Sequence, residues 1–191
     1  MWEETEMDPA FLERDLCRKA GRPVEIACTK RLILRETVLA DVPELYRIGK
    51  EPGMETYLKS MQPTLKEETE FMGAYIRFAY SFYDFGLWTV LERKTGRVMG
   101  RAGLFPSEIL EGMVEMGYMI APKYQRQGYA LESAGAVLQY AAEVLELPEV
   151  HLLADRKNEA SIKVARALKP AKSDAVWHTG REFIHFLFET V

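Results

Sequence analysis

Ala121–Ser133 reads APKYQRQGYALES and joins a short apolar run, Val114–Ile120, to a long amphipathic pattern. A plain strand-to-helix connection needs neither the cluster Gln125-Arg126-Gln127 nor the small residues Gly128 and Ala130. A site that grips an anion needs both. The first four N–H groups of a helix lack an intrahelical partner, and with the helix dipole they attract negative charge. Gly128 lets the backbone approach a ligand without a Cβ in the way. Ala130 keeps the first turn slim, while Gln125, Arg126 and Gln127 add donors and one positive charge. Such a loop suits a pyrophosphate. Taken alone, the stretch also reads as a simple turn with exposed polar residues, because small-residue loops are common.

Working outward, Asp8 and Pro9 open a short helix that Gly21 stops. Thr29–Glu36 reads as a strand, and Asp41 with Glu44 as the start of a helix through about Gly49. Thr64 and Glu67 form a capping box, followed by apolar residues at helical spacing from Phe71 to Phe82. Gly86–Glu92 and Arg97–Phe105 flank a turn in which Gly96 takes positive φ. After Val114–Ile120 and the opening loop, Leu131 to Leu145 mark one face of a helix that Pro148 ends. Val150–Ala154 is a short strand, Asn158 starts another helix, and two strands meeting at Thr179-Gly180 close the chain. The order predicts a mixed α/β (α+β layered) domain, with a mostly antiparallel central sheet flanked by helices. Residues 1–28 are read as an N-terminal helical extension and 29–191 as one domain.

Composition excludes several classes. Of 191 residues, 48% are hydrophobic and 28% charged, with a net charge of -4, so no basic character points to nucleic acid. No apolar run approaches the roughly 20 residues that span a bilayer, and the acidic start MWEETEMDPAF lacks the order of a signal peptide. Two cysteines make no disulfide framework, and no Cys/His spacing suggests zinc. A cytoplasmic, metal-free protein is expected. A homodimer is carried as its oligomeric state, although nothing in the sequence fixes it.

The order strand, PKYQRQGYA loop, helix, strand, N-x-x-S, helix resembles the GNAT superfamily of acyl-coenzyme A-dependent N-acetyltransferases. LWTVLERKTGRVMGRAGLF looks like its central hairpin, and EMGYMIAPKYQRQGYALES like its E-x-G-Y strand running into the coenzyme loop. RLILRE is similar to the first strand of the branch that includes the ribosomal-protein N-terminal acetyltransferases. The resemblance implies acetyl-coenzyme A as cosubstrate. It implies that backbone groups at Met119 and Ile120 bind the pantetheine arm as an added strand would. Amides of Arg126, Gln127, Gly128, Tyr129 and Ala130 would cradle the pyrophosphate next to Gln125. Asn158 would reach the pantetheine or hold the strand ends apart, with Ser161 nearby. Asn158 also reads as a plain helix cap.

Acetyl transfer needs a neutral amine, a stabilised oxyanion and a protonated leaving thiol, and no covalent enzyme intermediate. Glu115, among Met113, Val114, Met116 and Tyr118, is the candidate base, since partial desolvation raises a carboxylate pKa. The competing reading has Glu115 facing solvent or paired with an arginine such as Arg101. The chain departs from the family in two places. Ala165 stands where many members carry an acidic tyrosine, and LKPAKSD replaces the usual Gly-Phe. His151, His178 and His185 read as isolated, Glu132 as part of a solvated helix face, and Arg97 and Arg101 as ordinary strand-face residues. The resemblance implies an amine acceptor, either a small molecule or a protein N-terminus, with an entrance that this fold usually shapes at residues 51–63. The alternative is a non-catalytic acyl-coenzyme A-binding sensor or assembly module on the same fold. A generic nucleotide-binding protein ranks last, for want of a P-loop or GxGxxG.

Overall fold

The computed structural model describes residues 9–58 and 61–190. The Asp8 cap lies outside them. The elements run α1 (Pro9–Lys19), β1 (Glu25–Cys28), β2 (Leu32–Glu36), α2 (Val42–Gly49), α3 (Leu65–Phe82), β3 (Leu87–Glu92), β4 (Val98–Pro106), β5 (Val114–Ile120), α4 (Tyr129–Glu143), β6 (Glu149–Asp155), α5 (Glu159–Ala167), β7 (Lys172–His178) and β8 (Arg181–Glu189). The strands form one sheet in the order β1-β2-β3-β4-β5-β6-β8-β7. Every pairing is antiparallel except β5 with β6. This is the expected mixed, mostly antiparallel sheet with flanking helices. Residues 25–28, read from sequence as part of the extension, supply β1, which pairs with β2 at the sheet edge.

Local signals explain the element boundaries. Thr64 Oγ1 accepts from Glu67 N–H at 3.2 Å, and Glu67 Oε2 accepts from Thr64 N–H at 3.0 Å, so the capping box opens α3. Gly96 (φ 69°) closes the β3–β4 turn. Asp41 stands at the N-cap of α2 but makes no capping bond. Its carboxylate instead takes Arg35 at 2.7 and 2.8 Å, Val38 N–H at 3.0 Å and the Thr89 hydroxyl at 2.8 Å.

Strand alternation sends the two faces of the sheet to different helices. One face carries Leu32, Leu34, Trp88, Val90, Met116, Ile120, Val150, Leu152 and Phe186 against Ala134, Val137, Tyr140 and Ala141 of α4. On the other face Met119 packs with Leu45 and Ile48 of α2. The helical extension is tied to the domain by charge. Arg14 Nε donates to Asp84 at 2.9 Å, and Arg18 pairs with both Glu36 and Asp84 at 2.7 Å. Burial raises the Glu36 pKa despite its arginine partner. Among the described residues no helix is long and apolar enough to cross a membrane.

Side chains of Arg14, Arg18 and Asp84 are only 10%, 14% and 15% exposed, so removing one charge strands its partners at low dielectric. Asp84→Asn keeps the residue's tolerance for its positive φ of 60°. The variant is expected to lose about 3 kcal/mol of unfolding free energy, read as a lower urea midpoint. A midpoint unchanged from wild type would mean that α1 is not anchored through this cluster.

Candidate active site

The site begins where β5 and β6 part. Each strand is seven residues long, yet they share a single bridge, Glu115 with His151. β5 is held along its length by β4, and β6 by β8, so beyond the bridge the two diverge into a fork. Register decides which backbone groups line it. Ala121 N–H donates to Met99 and Ser107 N–H to Met113, both at 2.8 Å, so the hydrogen-bonded pairs of the β4–β5 ladder include Arg101 with Met119. The N–H and C=O of Met119 therefore point to β4. Those of Tyr118 and Ile120 point into the fork. The Ile120 carbonyl is taken by Gln125 Nε2 at 2.9 Å. The open edge thus offers both groups of Tyr118 and the N–H of Ile120. The Tyr118 signal was not visible in sequence, because ladder parity depends on pairing.

The fork leads to the quoted loop. Pro122–Tyr124 makes one turn of 3-10 helix, Arg126 takes φ 59°, and Gly128 takes φ 82° as the N-cap of α4. Among the described residues, the backbone N–H groups from Arg126 to Leu131 have no hydrogen-bond acceptor. Six successive free amides at a helix start make a cradle for an anion. The side-chain amides of the loop are spent locally: Gln127 Nε2 donates to the Lys123 carbonyl at 2.9 Å. Arg126 remains exposed. A further cation comes from outside the loop. Arg31 Nη1 donates to the Gln127 carbonyl at 2.9 Å, its guanidinium lies 4.1 Å from the centre of the Tyr129 ring, and a Cβ on Gly128 would sit 3.4 Å from its Nη2.

Glu132 corrects the solvated-face reading. It accepts from the Thr29 hydroxyl at 2.6 Å, Arg31 N–H at 3.0 Å and Arg31 Nε at 2.6 Å, and so pins the β1–β2 turn against the start of α4. Burial pushes its pKa up, but these bonds outweigh burial and leave it lowered. The carboxylate is a strut for the loop.

Glu115 sits at the closed end of the fork, on the α2/α3 face, half-buried. It neither faces bulk solvent nor pairs with Arg101. Burial raises its pKa; a 2.8 Å bond from the Ser107 hydroxyl opposes the shift, and the neighbouring charge of Glu108 adds to it. On the other face, Tyr118 reaches across to α5, its hydroxyl 3.1 Å from Ser161 Oγ. Burial raises the Tyr118 pKa, and the Ser161 bond moderates it. Asn158 caps α5 by accepting from Ser161 N–H at 3.1 Å, which leaves its NH2 group without a partner among the described residues. Ala165 is fully buried in the core.

His151 and His185 are not isolated. His151 Nδ1 and His185 Nε2 lie 2.8 Å apart, Asp174 Oδ1 is 2.8 Å from His185 Nδ1, and Glu149 Oε1 is 3.2 Å from His151 Nε2. The row crosses β6, β8 and β7 on the Glu115 face. Sequence reading missed it because the partners are brought together by strand pairing.

Comparison with known proteins agrees with this geometry. Residues 31–169 match the acetyltransferase (GNAT) domain family. YkkB, an uncharacterized protein of Bacillus subtilis (strain 168), is 34% identical over 87 residues, which are 45% of this chain and 51% of that one. The chain thus spans about half the length of this relative. The uncharacterized N-acetyltransferase p20 of Bacillus licheniformis is 23% identical over 145 residues, covering 76% of this chain and 82% of that protein. Among solved structures, RimL, a ribosomal L7/L12 alpha-N-protein acetyltransferase in complex with coenzyme A, shares the fold with a TM-score of 0.74 at 16% identity, over 87% of this chain and 98% of that one. With the forked strands and the amide cradle in place, the match over residues 31–169 assigns the chain to the GNAT acetyltransferase family.

Proposed function

We propose that this chain acetylates a primary amine directly in a ternary complex, with the coenzyme laid through the β5/β6 fork. The observation that carries the reading is the unpaired edge of β5 running into six free amides. The residues fit the coenzyme: an extended, amide-bearing arm can pair with Tyr118 and Ile120 as an added strand, and a pyrophosphate fits the N-terminus of α4. Bound there, acetyl-coenzyme A supplies the acyl group as an activated thioester. The amine approaches from the α2/α3 face. Its nitrogen bonds to the acetyl carbon, the carbon–sulfur bond breaks, one proton leaves the nitrogen and one joins the departing sulfur. Glu115 accepts the first proton, directly or through a water. The N–H groups of Tyr118 and Ile120 polarise the carbonyl. The second proton comes from the Tyr118–Ser161 hydroxyl pair, since Ala165 offers none. A protein N-terminus is one acceptor class consistent with the fold, as in the RimL relative; a small amine is the other. A cytoplasmic setting goes with two cysteines, Cys17 and Cys28, that form no disulfide. The sensor reading gains from Ala165 but leaves the desolvated Glu115 without a purpose.

Two variants test the site. At Gly128, φ 82° makes any side chain strained, by roughly 1–2 kcal/mol. Gly128→Ala and Gly128→Glu share that strain, but only the glutamate sets a negative charge where phosphate belongs. Calorimetry is expected to show coenzyme affinity reduced at least about 100-fold in Gly128→Glu and far less in Gly128→Ala. Equal affinities in the two variants would remove the loop from the binding site.

Glu115→Gln nearly preserves shape and removes the proton acceptor. Turnover is expected to fall roughly 100-fold or more, with coenzyme affinity unchanged. A raised pKa means that the wild-type base is lost as pH falls through a value above the usual carboxylate range of about 4. With an amine acceptor that is itself neutral at pH 7, the wild-type profile should show this acid limb and the variant should not. Profiles of the same shape at similar rates would take Glu115 out of the mechanism and leave proximity and backbone polarisation.

A further inference from the structure

Arg101 stands on β4 opposite Thr89 of β3 and Met119 of β5, on the face covered by α2 and α3. Its guanidinium has five N–H donors, and it makes no hydrogen bond or ion pair with any described residue. The acceptors around it each have another partner, and none is within hydrogen-bond distance of it. Asp41 is held by Arg35, Val38 and Thr89. Glu68, the acid whose charge reaches Arg101, accepts from Gln62 N–H at 2.9 Å. The Tyr75 hydroxyl accepts from Leu87 N–H at 2.8 Å, and the Tyr80 hydroxyl donates to the Leu87 carbonyl at 2.6 Å. Burial lowers the Arg101 pKa, against the pull of Glu68 and the two tyrosines. Proteins rarely keep an unpaired charge in such a place, because its desolvation is uncompensated. Arg101 is not sealed in: part of the residue stays accessible.

What lies beside it matters. Two residues along both strands from the Arg101–Met119 pair, Gly103 faces Gly117, and two further on Phe105 faces Glu115. Neither glycine can be replaced freely, since a Cβ would come within 2.0 Å of the Gly86 carbonyl or 2.8 Å of the Phe105 ring. The Phe105 ring therefore lies over Gly117, and it is the one β4 or β5 side chain on this face between Arg101 and Glu115. The stretch is about 13 Å along the strand, with a cation at one end and the candidate base at the other.

We propose that Arg101 is the acceptor-binding residue for a carboxylate, so that the amine this protein acetylates is one that also carries a carboxylate. The inference rests on the acetyl-transfer reading and narrows its substrate class. A planar guanidinium with no hydrogen-bond partner among the described residues engages a carboxylate bidentately, and the Phe105 ring over Gly117 gives the apolar part of the molecule a surface to lie on toward Glu115. A polycationic acceptor would meet the Arg101 charge at the same place, offset in part by Glu68. The carboxylate can belong to a small amino acid or to an acidic side chain near a peptide N-terminus; the chemistry at Arg101 is shared.

The test measures thiol release from acetyl-coenzyme A with paired acceptors: ω-amino acids against their carboxamides, peptides with a glutamate second residue against the glutamine versions, and spermidine. Wild type is expected to favour the carboxylate member of at least one pair about tenfold or more in kcat/KM, and the pair that responds identifies the source. Arg101→Met should bring that ratio close to one by raising KM for the acid, with the rate on the amide retained, and Arg101→Lys should keep part of it. Equal rates of wild type on acid and amide in both series overturn the proposal, as does a preference that survives Arg101→Met. Melting gives an independent readout. Removing an unpaired buried charge should raise Tm by about 2–4 °C, and millimolar carboxylates should raise the Tm of wild type but not of the variant. A Tm lower in Arg101→Met assigns the arginine to structure and overturns the proposal. Absence of thiol release with every amine would defeat the acetyl-transfer reading itself, and the two melting comparisons would then decide Arg101 alone.

Discussion

A single bridge between β5 and β6, Glu115 with His151, is the constraint on which the site depends. Each strand is satisfied on its far side, β5 by β4 and β6 by β8, so the edges that face each other past the bridge have no strand to pair with. The Tyr118 N–H and C=O and the Ile120 N–H are left without a strand partner there. The fork is held in shape rather than collapsed. Tyr118 spans it to Ser161, Gln125 ties the end of β5 to the loop, and Asn158 fixes the start of α5. The helix that follows β5 then aims its free amides along the same line. Strand edge and helix start are two forms of one resource, backbone hydrogen-bonding capacity without an internal partner.

Charge around this frame is sorted by solvation. Glu115 and Glu132 flank the same strand–loop unit, with pKa shifts in opposite directions. Glu115 is desolvated and receives one hydroxyl bond, so burial raises its pKa. Glu132 receives three donors and stays ionised as a strut under Arg31. Environments that push two carboxylates apart in this way separate a chemical role from a structural one. Arg101 and Arg31 divide similarly: among the described residues the first has no hydrogen-bond or ion-pair partner on the α2/α3 face, while the second is bound to Glu132 beside the 125–130 loop.

Much of this was legible in the sequence because it is local. The Thr64–Glu67 box, the positive φ at Gly96, the Asn158 cap and the whole of Val114–Ile120 follow from residues within a few positions of one another. What escaped reading depends on partners far along the chain. Whether Met119 or Tyr118 faces the fork is set by the β4–β5 register, and the strand period of two makes neighbours opposite. Glu132 looked solvated because its partners, Thr29 and Arg31, are about a hundred positions away. His151 and His185 lie on different strands, and Arg101 looked ordinary because nothing in the sequence says which acids are already engaged. β1 is only four residues long, too short for alternation to show.

The proposed chemistry depends on the open edge of β5 receiving the coenzyme arm. Backbone amide hydrogen exchange, resolved by residue with and without coenzyme A, tests it directly. The Met119 amide is bonded to β4 in both states and should exchange slowly throughout. The amides of Tyr118 and Ile120, and those from Arg126 to Ala130, should exchange fast in the free protein and become protected when coenzyme A is added. Protection confined to the loop, with Tyr118 and Ile120 unchanged at saturating coenzyme A, would contradict the account.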